Sequence, residues 1–191
     1  AQNHVGMARR LATNQEARSR RSDTVKIGLE ISNLSTAMMA AEKLLTVAKK
    51  DAEAIAAEKD AAERTGLLSA YGVSESDKLP PNLRSSFKEL EDNQKRRQTR
   101  LLRDGIDRIL TDLESIFRDI LSLQLVTNSD LYNPEHAQEL ESRAALGSAL
   151  MTIDVLDAIS KARVRLAANV RDLVVLEALC TKLVFRRQNA A

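Results

Sequence analysis

The chain has 191 residues, of which 43% are hydrophobic, 29% charged and 3% aromatic. That is globular composition, with room for one ordinary domain or one domain plus a fragment of another, and it leaves Leu, Ile, Val and Ala to do the packing. A net charge of +2, from 29 basic and 27 acidic side chains, excludes the global field that draws a protein onto DNA or an anionic membrane, so any basic grip must be local.

Three Pro and six Gly leave few places to break helices and few turns for a many-stranded sheet. The expectation is an all-α bundle of about five to six helices, two of them long. The single cysteine, Cys180, excludes a disulfide framework and a multi-cysteine zinc site, and its setting LEALCTKLV reads as the buried stripe of a helix. No apolar run approaches the roughly 20 residues needed to cross a bilayer and no signal peptide opens the chain, which reads as cytoplasmic. The opening AQNHVGMARRLATNQEARSRR lacks an initiator Met and enters an amphipathic stretch at once, as an excised piece of a longer protein would.

Residues 5–21 read as a first helix closing in Arg18, Arg20 and Arg21, where positive charge suits the carboxyl end of the dipole. Ser22 and Asp23 are then placed to cap the next segment. From about Leu34, residues Leu34, Met38, Ala41, Leu45, Ala48, Ala52 and Ile55 recur three and four apart in an Ala-, Glu- and Lys-rich text, predicting a long helix that stops near Tyr71 with Gly72 as its left-handed end. VSESDKLPPNL follows as a clear loop, stiffened by Pro80 and Pro81.

Residues 83–125 hold no proline and one glycine. Leu101, Leu102, Ile106, Ile109, Leu113, Ile116, Phe117, Ile120 and Leu123 keep helical spacing there, predicting a helix of roughly 60 Å at about 1.5 Å per residue. In TNSDLYNPEH, Asn133 reads as a cap and Pro134 as the first residue of a shorter helix to about Ala145. Gly147 and Ser148 mark a turn. Ile153, Leu156, Ile159, Val164 and Leu166 then space a helix to about Ala168. Asn169 is expected to cap a last helix, with Asp172 in the place of a capping-box acid and Arg186 and Arg187 at its end.

QKRRQTRLLR at 94–103 places five cations in ten positions. Arg96, Arg100 and Arg103 fall on one stripe of the helix with Glu89, Asp92, Asp107 and Glu114 above and below, and acid-first pairs four apart (Glu91 with Lys95, Asp92 with Arg96, Asp104 with Arg108) suit a solvated face. No aromatic lies within it for base stacking, since Phe87 and Phe117 project toward the apolar arc. Phosphate contact through Arg96, Arg97, Arg100 and Arg103 is the rival reading, because neutralising phosphate needs only well-placed Lys and Arg.

Chemical motifs are scarce. His4 and His136 are the two histidines; His136 and Glu139 share a face, but no ExxH occurs for a di-metal bundle, and helix-start polarity explains NPEHAQEL. No GxSxG, GxxxxGK[ST] or GxGxxG is present. No catalytic residue, cofactor or metal is expected.

NHVGMARRLA at 3–12 resembles the last lid helix of AAA+ clamp-loader ATPases, where a G-S-x-R or G-S-x-G pattern opens the helix carrying sensor 2. RVRLAANVRDLVVLEALCTKL at 163–183 resembles their final helix pair, and LEDNQKRRQTRLLRDGIDRILTDLESIFRDILSLQL is similar to the long helix of actinobacterial delta-prime-type subunits of the DNA polymerase III clamp loader. The resemblance implies a division at about residue 22: a lid remnant over 1–22 and a helical collar, the oligomerisation domain of a pentameric ring, over 23–191. It places Gly6 at the sensor 2 position, which fits a subunit that does not hydrolyse ATP; Arg9 and Arg10, one turn on, read as helix-end charges. It implies a scaffold rather than an enzyme, with the delta and gamma/tau subunits as partners, and the sliding clamp and DNA reached through the complex during replication. Leu121, Leu125, Leu156, Ile159, Leu176 and Leu179 are the expected subunit-interface positions.

Overall fold

Helices carry the described residues, 5–72, 83–127 and 129–185 of the computed structural model, and no strand occurs among them. In chain order they are α1 (Val5–Thr13), α2 (Gln15–Glu30), α3 (Leu34–Ala70), α4 (Arg84–Gln124), a 3-10 turn (Pro134–His136), α5 (Ala137–Ala144), α6 (Ala149–Ala167) and α7 (Asp172–Lys182). The two long helices foreseen are α3, with 37 residues, and α4, with 41. Pro80 and Pro81, His4, Arg186 and Arg187 lie outside the described residues, as does the side chain of Arg10.

Helix ends correct several sequence expectations. The first break falls at Asn14, and residues 22 and 23 lie inside α2. Asn14 Oδ1 accepts from Ala17 N at 2.9 Å, starting α2, while Arg18 folds back to donate to the Leu11 and Ala12 carbonyls that end α1. One residue pair thus satisfies the orphan groups of two helix ends, which Ser22 had no need to do. Before α3, Asn33 Oδ1 accepts from Thr36 N and Thr36 Oγ1 accepts from Asn33 N, both at 3.0 Å, a reciprocal cap that fixes the start near Leu34. Gly72 is left-handed at φ 64°, as expected at the α3 terminus.

Asn169 closes α6 rather than opening α7. It stands at φ 60°, its N–H reaches the Leu166 carbonyl and the Val170 N–H reaches that of Arg165, a Schellman motif. Asn tolerates this conformation, and α7 begins beyond it at Asp172 with no side-chain cap bond from Arg171. The end of α4 repeats the motif with a residue far less suited to it: Val126, at φ 53°, donates to Leu123 O, and Thr127 to Ser122 O.

The described chain divides into two packed units, one of Ala1–Val47 with Asp107–Ala191 and one of Ala48–Ile106, and α3 and α4 contribute to both. In the larger unit the core is Val25, Ile31, Leu44, Leu110, Leu113, Ile116, Phe117, Ile120, Leu140, Ile159, Leu176, Cys180 and Leu183 with their neighbours, all buried. Gly28 of α2 lets that helix settle onto α4: a Cβ there would stand 2.8 Å from the ends of Leu113 and Ile116. Phe117 meets Phe185 edge to face with centroids 5.8 Å apart.

The smaller unit is a helical hairpin made from the second half of α3 and the first half of α4. Its seam is built from small residues at one end, where Ala48, Ala52 and Ala56 are buried and a Cβ on Gly105 would come within 3.2 Å of the Ala48 carbonyl oxygen. At the other end Leu68, Leu83 and Phe87 form a cluster with Leu67. The apolar stripe of α3 therefore runs through its alanines, whereas Leu34, Met38 and Ile55, which the spacing assigned to it, are exposed.

Arg143 of α5 ties together two helix ends of the larger unit. Only 8% exposed, it donates from Nη1 to the carbonyls of Leu29 (2.8 Å) and Ile31 (2.7 Å) and from Nη2 to that of Leu183 (2.9 Å), and its guanidinium lies 5.6 Å from the Phe185 ring centre. These carbonyls are at the carboxyl ends of α2 and α7, where unsatisfied oxygens and the helix dipoles offer negative partial charge. Burial pulls the guanidinium pKa down from its usual value. Replacement by Met should leave three buried carbonyls unpaired and cost roughly 3–5 kcal/mol in urea denaturation; Lys should recover only part of this, since a point-like ammonium cannot span two helix ends. Val126→Gly should raise stability by about 0.5–1 kcal/mol, seen as a higher thermal midpoint, by releasing a β-branched residue from the left-handed region.

Candidate functional site

The interface positions foreseen from sequence divide by burial. Ile159, Leu176 and Leu179 are at most 2% exposed and form part of the chain's own core, because α6 and α7 pack on one another and need these residues to cover each other. Leu121 and Leu156 are half-buried, and Leu125 is 57% exposed. The buried face of α6 is Thr152, Val155, Ile159 and Ala162, with Thr152 donating to Gln124 Oε1 at 2.7 Å. Ile153 and Val164, which the spacing had placed on that face, point to solvent, as do Leu150, Val170 and Val174. Apolar residues occur on two faces of α6, so spacing alone selected the wrong one; the polar Thr152 gave no sign of lying inside.

Between α2 and α4 lies a polar centre that sequence reasoning missed. Arg21 donates to Asn133 Oδ1 at 2.6 Å and stands 3.5 Å from Asp112 and 3.6 Å from Glu135. Asn133 is fully buried: its backbone and side-chain N–H groups reach Asp119 Oδ2 at 2.9 and 2.8 Å, and Nδ2 also reaches Ser115 Oγ at 3.2 Å. Asp119 accepts from Tyr132 N as well, at 2.8 Å. The expected role of Asn133 as a side-chain cap is not what forms, since no cap bond is made and its amide instead anchors the 129–136 segment to α4. These bonds hold residues 132 and 133 against α4.

The basic run is also divided. Arg97 turns inward in the smaller unit, donating to Glu63 Oε1 at 2.8 Å and pairing further with Glu63 Oε2 and with Asp60, while Gln94 donates to the Asp60 carbonyl at 3.2 Å. The hydrogen bonds from Arg97 hold the Glu63 carboxyl below its ordinary pKa. Arg96, Arg100 and Arg103 face outward on α4. Asp107 and Glu114, assigned by projection to the same stripe, bind Arg163 of α6 at 3.0 and 2.9 Å.

Other candidates are quiet. His136 Nδ1 lies 3.9 Å from Glu139, and no group of three His, Cys, Asp or Glu residues arranged to hold a metal occurs among the described residues. Cys180 is buried, as expected of a core thiol, and burial pushes its pKa up to about 12. Gly6 is an exposed residue of α1. Among the described residues no helix is long and apolar enough to cross a membrane.

Asp112 contributes a pH dependence of its own. Burial raises its pKa from 3.8 to about 6, outweighing the attraction of Arg21 and Arg108. The folded state therefore holds this proton more tightly than the unfolded state, so its contribution to stability is complete below the unfolded pKa and is lost as pH climbs through the folded one. Asp112→Asn should flatten that slope between roughly pH 4 and 6 and stabilise the fold at pH 7 by an amount on the order of 2 kcal/mol, measured by urea titration at both ends of the window.

No family model, no curated protein and no solved structure matches the chain.

Proposed function

We propose that the chain is a non-catalytic assembly domain, working as a collar of the delta-prime type in a DNA polymerase III clamp loader. The observation that supports an assembly role is the doubled apolar character of the α6–α7 pair. With Val155, Ile159, Leu176 and Leu179 already buried, Leu150, Ile153, Val164 and Val174 on the same two helices, and Val170 in the turn between them, remain 40–75% exposed. Covering one such Val or Leu side chain is worth roughly 1.5–3 kcal/mol, so a few together can hold a neighbouring subunit. The identity of the neighbours, the delta and gamma/tau subunits, rests on the resemblance of residues 3–12, 90–125 and 163–183 to clamp-loader sequences. Scaffolding of this kind requires no reacting group; it needs helices rigid enough to hold ATPase modules in order above the sliding clamp.

Mixing the chain with delta and gamma/tau subunits should produce a heavier species in light scattering. Val164→Asp with Val174→Asp should abolish that species while leaving helical circular dichroism unchanged, because both side chains are exposed in the isolated chain. If no heavier species forms with the unaltered protein, the collar reading is wrong.

A further inference from the structure

We infer that the outward face of α4 between Lys95 and Arg103 binds the phosphate backbone of duplex nucleic acid, without reading its bases. Lys95, Arg96, Gln98, Thr99, Arg100 and Arg103 are all exposed there, and no carboxylate stands between Asp92 and Asp104. Across the hairpin Asp60 and Glu63 are drawn onto the inward-turned Arg97. Arg97 is thereby removed from the contact proposed on sequence grounds. On the α3 side of the same unit Lys49, Lys50 and Lys59 are exposed. Lys49 joins Ala52, Glu53, Gln98, Thr99 and Leu102 around a groove of about 330 Å³.

The negative charge of a nucleic acid surface lies on its phosphates, and the chemistry of this face suits them. Lysine and arginine beside a neutral amide and hydroxyl match phosphate oxygens, which accept hydrogen bonds and carry charge. No aromatic lies among residues 94–103, so the stacking platform typical of single-strand binding is missing from this face. From residue 95 to 103 the helix advances about 12 Å, room for about three successive phosphates of one duplex strand at ~3.4 Å of axial rise each. The positive field is local, since the chain as a whole carries only +2.

Neutralising about three phosphates gives a slope near −2.7 in log affinity against log salt, hence an affinity loss of about 40-fold between 50 and 200 mM. The test is fluorescence anisotropy of the chain alone with a labelled 20-base-pair DNA duplex at both salts, independent of any other subunit and so of the assembly reading. The triple variant Lys95→Glu, Arg96→Glu, Arg100→Glu should lose at least tenfold in affinity at 50 mM. A second triple variant, Lys26→Glu, Lys43→Glu, Lys161→Glu, changes the net charge equally from exposed sites in the larger unit and should retain most of it; circular dichroism verifies that both fold. Absence of saturable duplex binding at 50 mM would overturn the inference, as would equal losses in the two variants. Tighter binding to phosphatidylserine vesicles than to the duplex would also overturn it, assigning the face to a membrane surface.

Discussion

One guanidinium, paired with no carboxylate among the described residues, fastens two helix ends of the larger unit together. Arg143 gains its compensation from three backbone carbonyls at the carboxyl ends of two helices, where aligned peptide dipoles supply the missing negative charge in fractions. The arrangement avoids burying a second full charge, with its own desolvation cost. It also constrains geometry, because the ends of α2 and α7 must meet at the flat fork of one arginine. Phe185, against the guanidinium and against Phe117, joins this polar fastening to the apolar core.

Polar groups serve in the same way elsewhere. In the hairpin, Arg97, Asp60, Glu63 and Gln94 sit in a seam whose ends are apolar, Ala48 and Gly105 at one and Leu68 and Phe87 at the other. Apolar seams tolerate sliding by a turn, but a charged layer that pairs in one alignment only does not, so this layer fixes register. Asp119 and Asn133 do for a loop what Arg97 does for a helix pair, exchanging hydrogen bonds that a shifted backbone would lose.

Sequence carried the architecture well and the roles of individual side chains less well. Long helices were legible because Ile106, Ile109, Leu113, Ile116, Phe117 and Ile120 repeat without interruption, and all six are buried. Gly72 was legible because glycine at a helix end has a local physical reason to be there. Faces of α6 were not, since both carry apolar residues and tertiary packing made the choice. Nor were Asn133 and Asn169, whose side chains suit caps in general; one was taken by Asp119 across the fold and the other by a left-handed helix end. Arg97 looked like its neighbours in a basic run, and only the approach of Asp60 and Glu63, more than thirty residues away, separates it from Arg96 and Arg100.

The fastening at Arg143 has a consequence for biosynthesis. Its partners lie 112 and 114 residues upstream and 40 residues downstream, so a nascent polypeptide cannot complete this unit until Leu183 has left the ribosome. The hairpin of residues 48–106 has by then been translated in full. Closure of the larger unit is therefore a late, long-range event, since a chain cut short before residue 183 lacks the α7 carbonyl to which Arg143 donates.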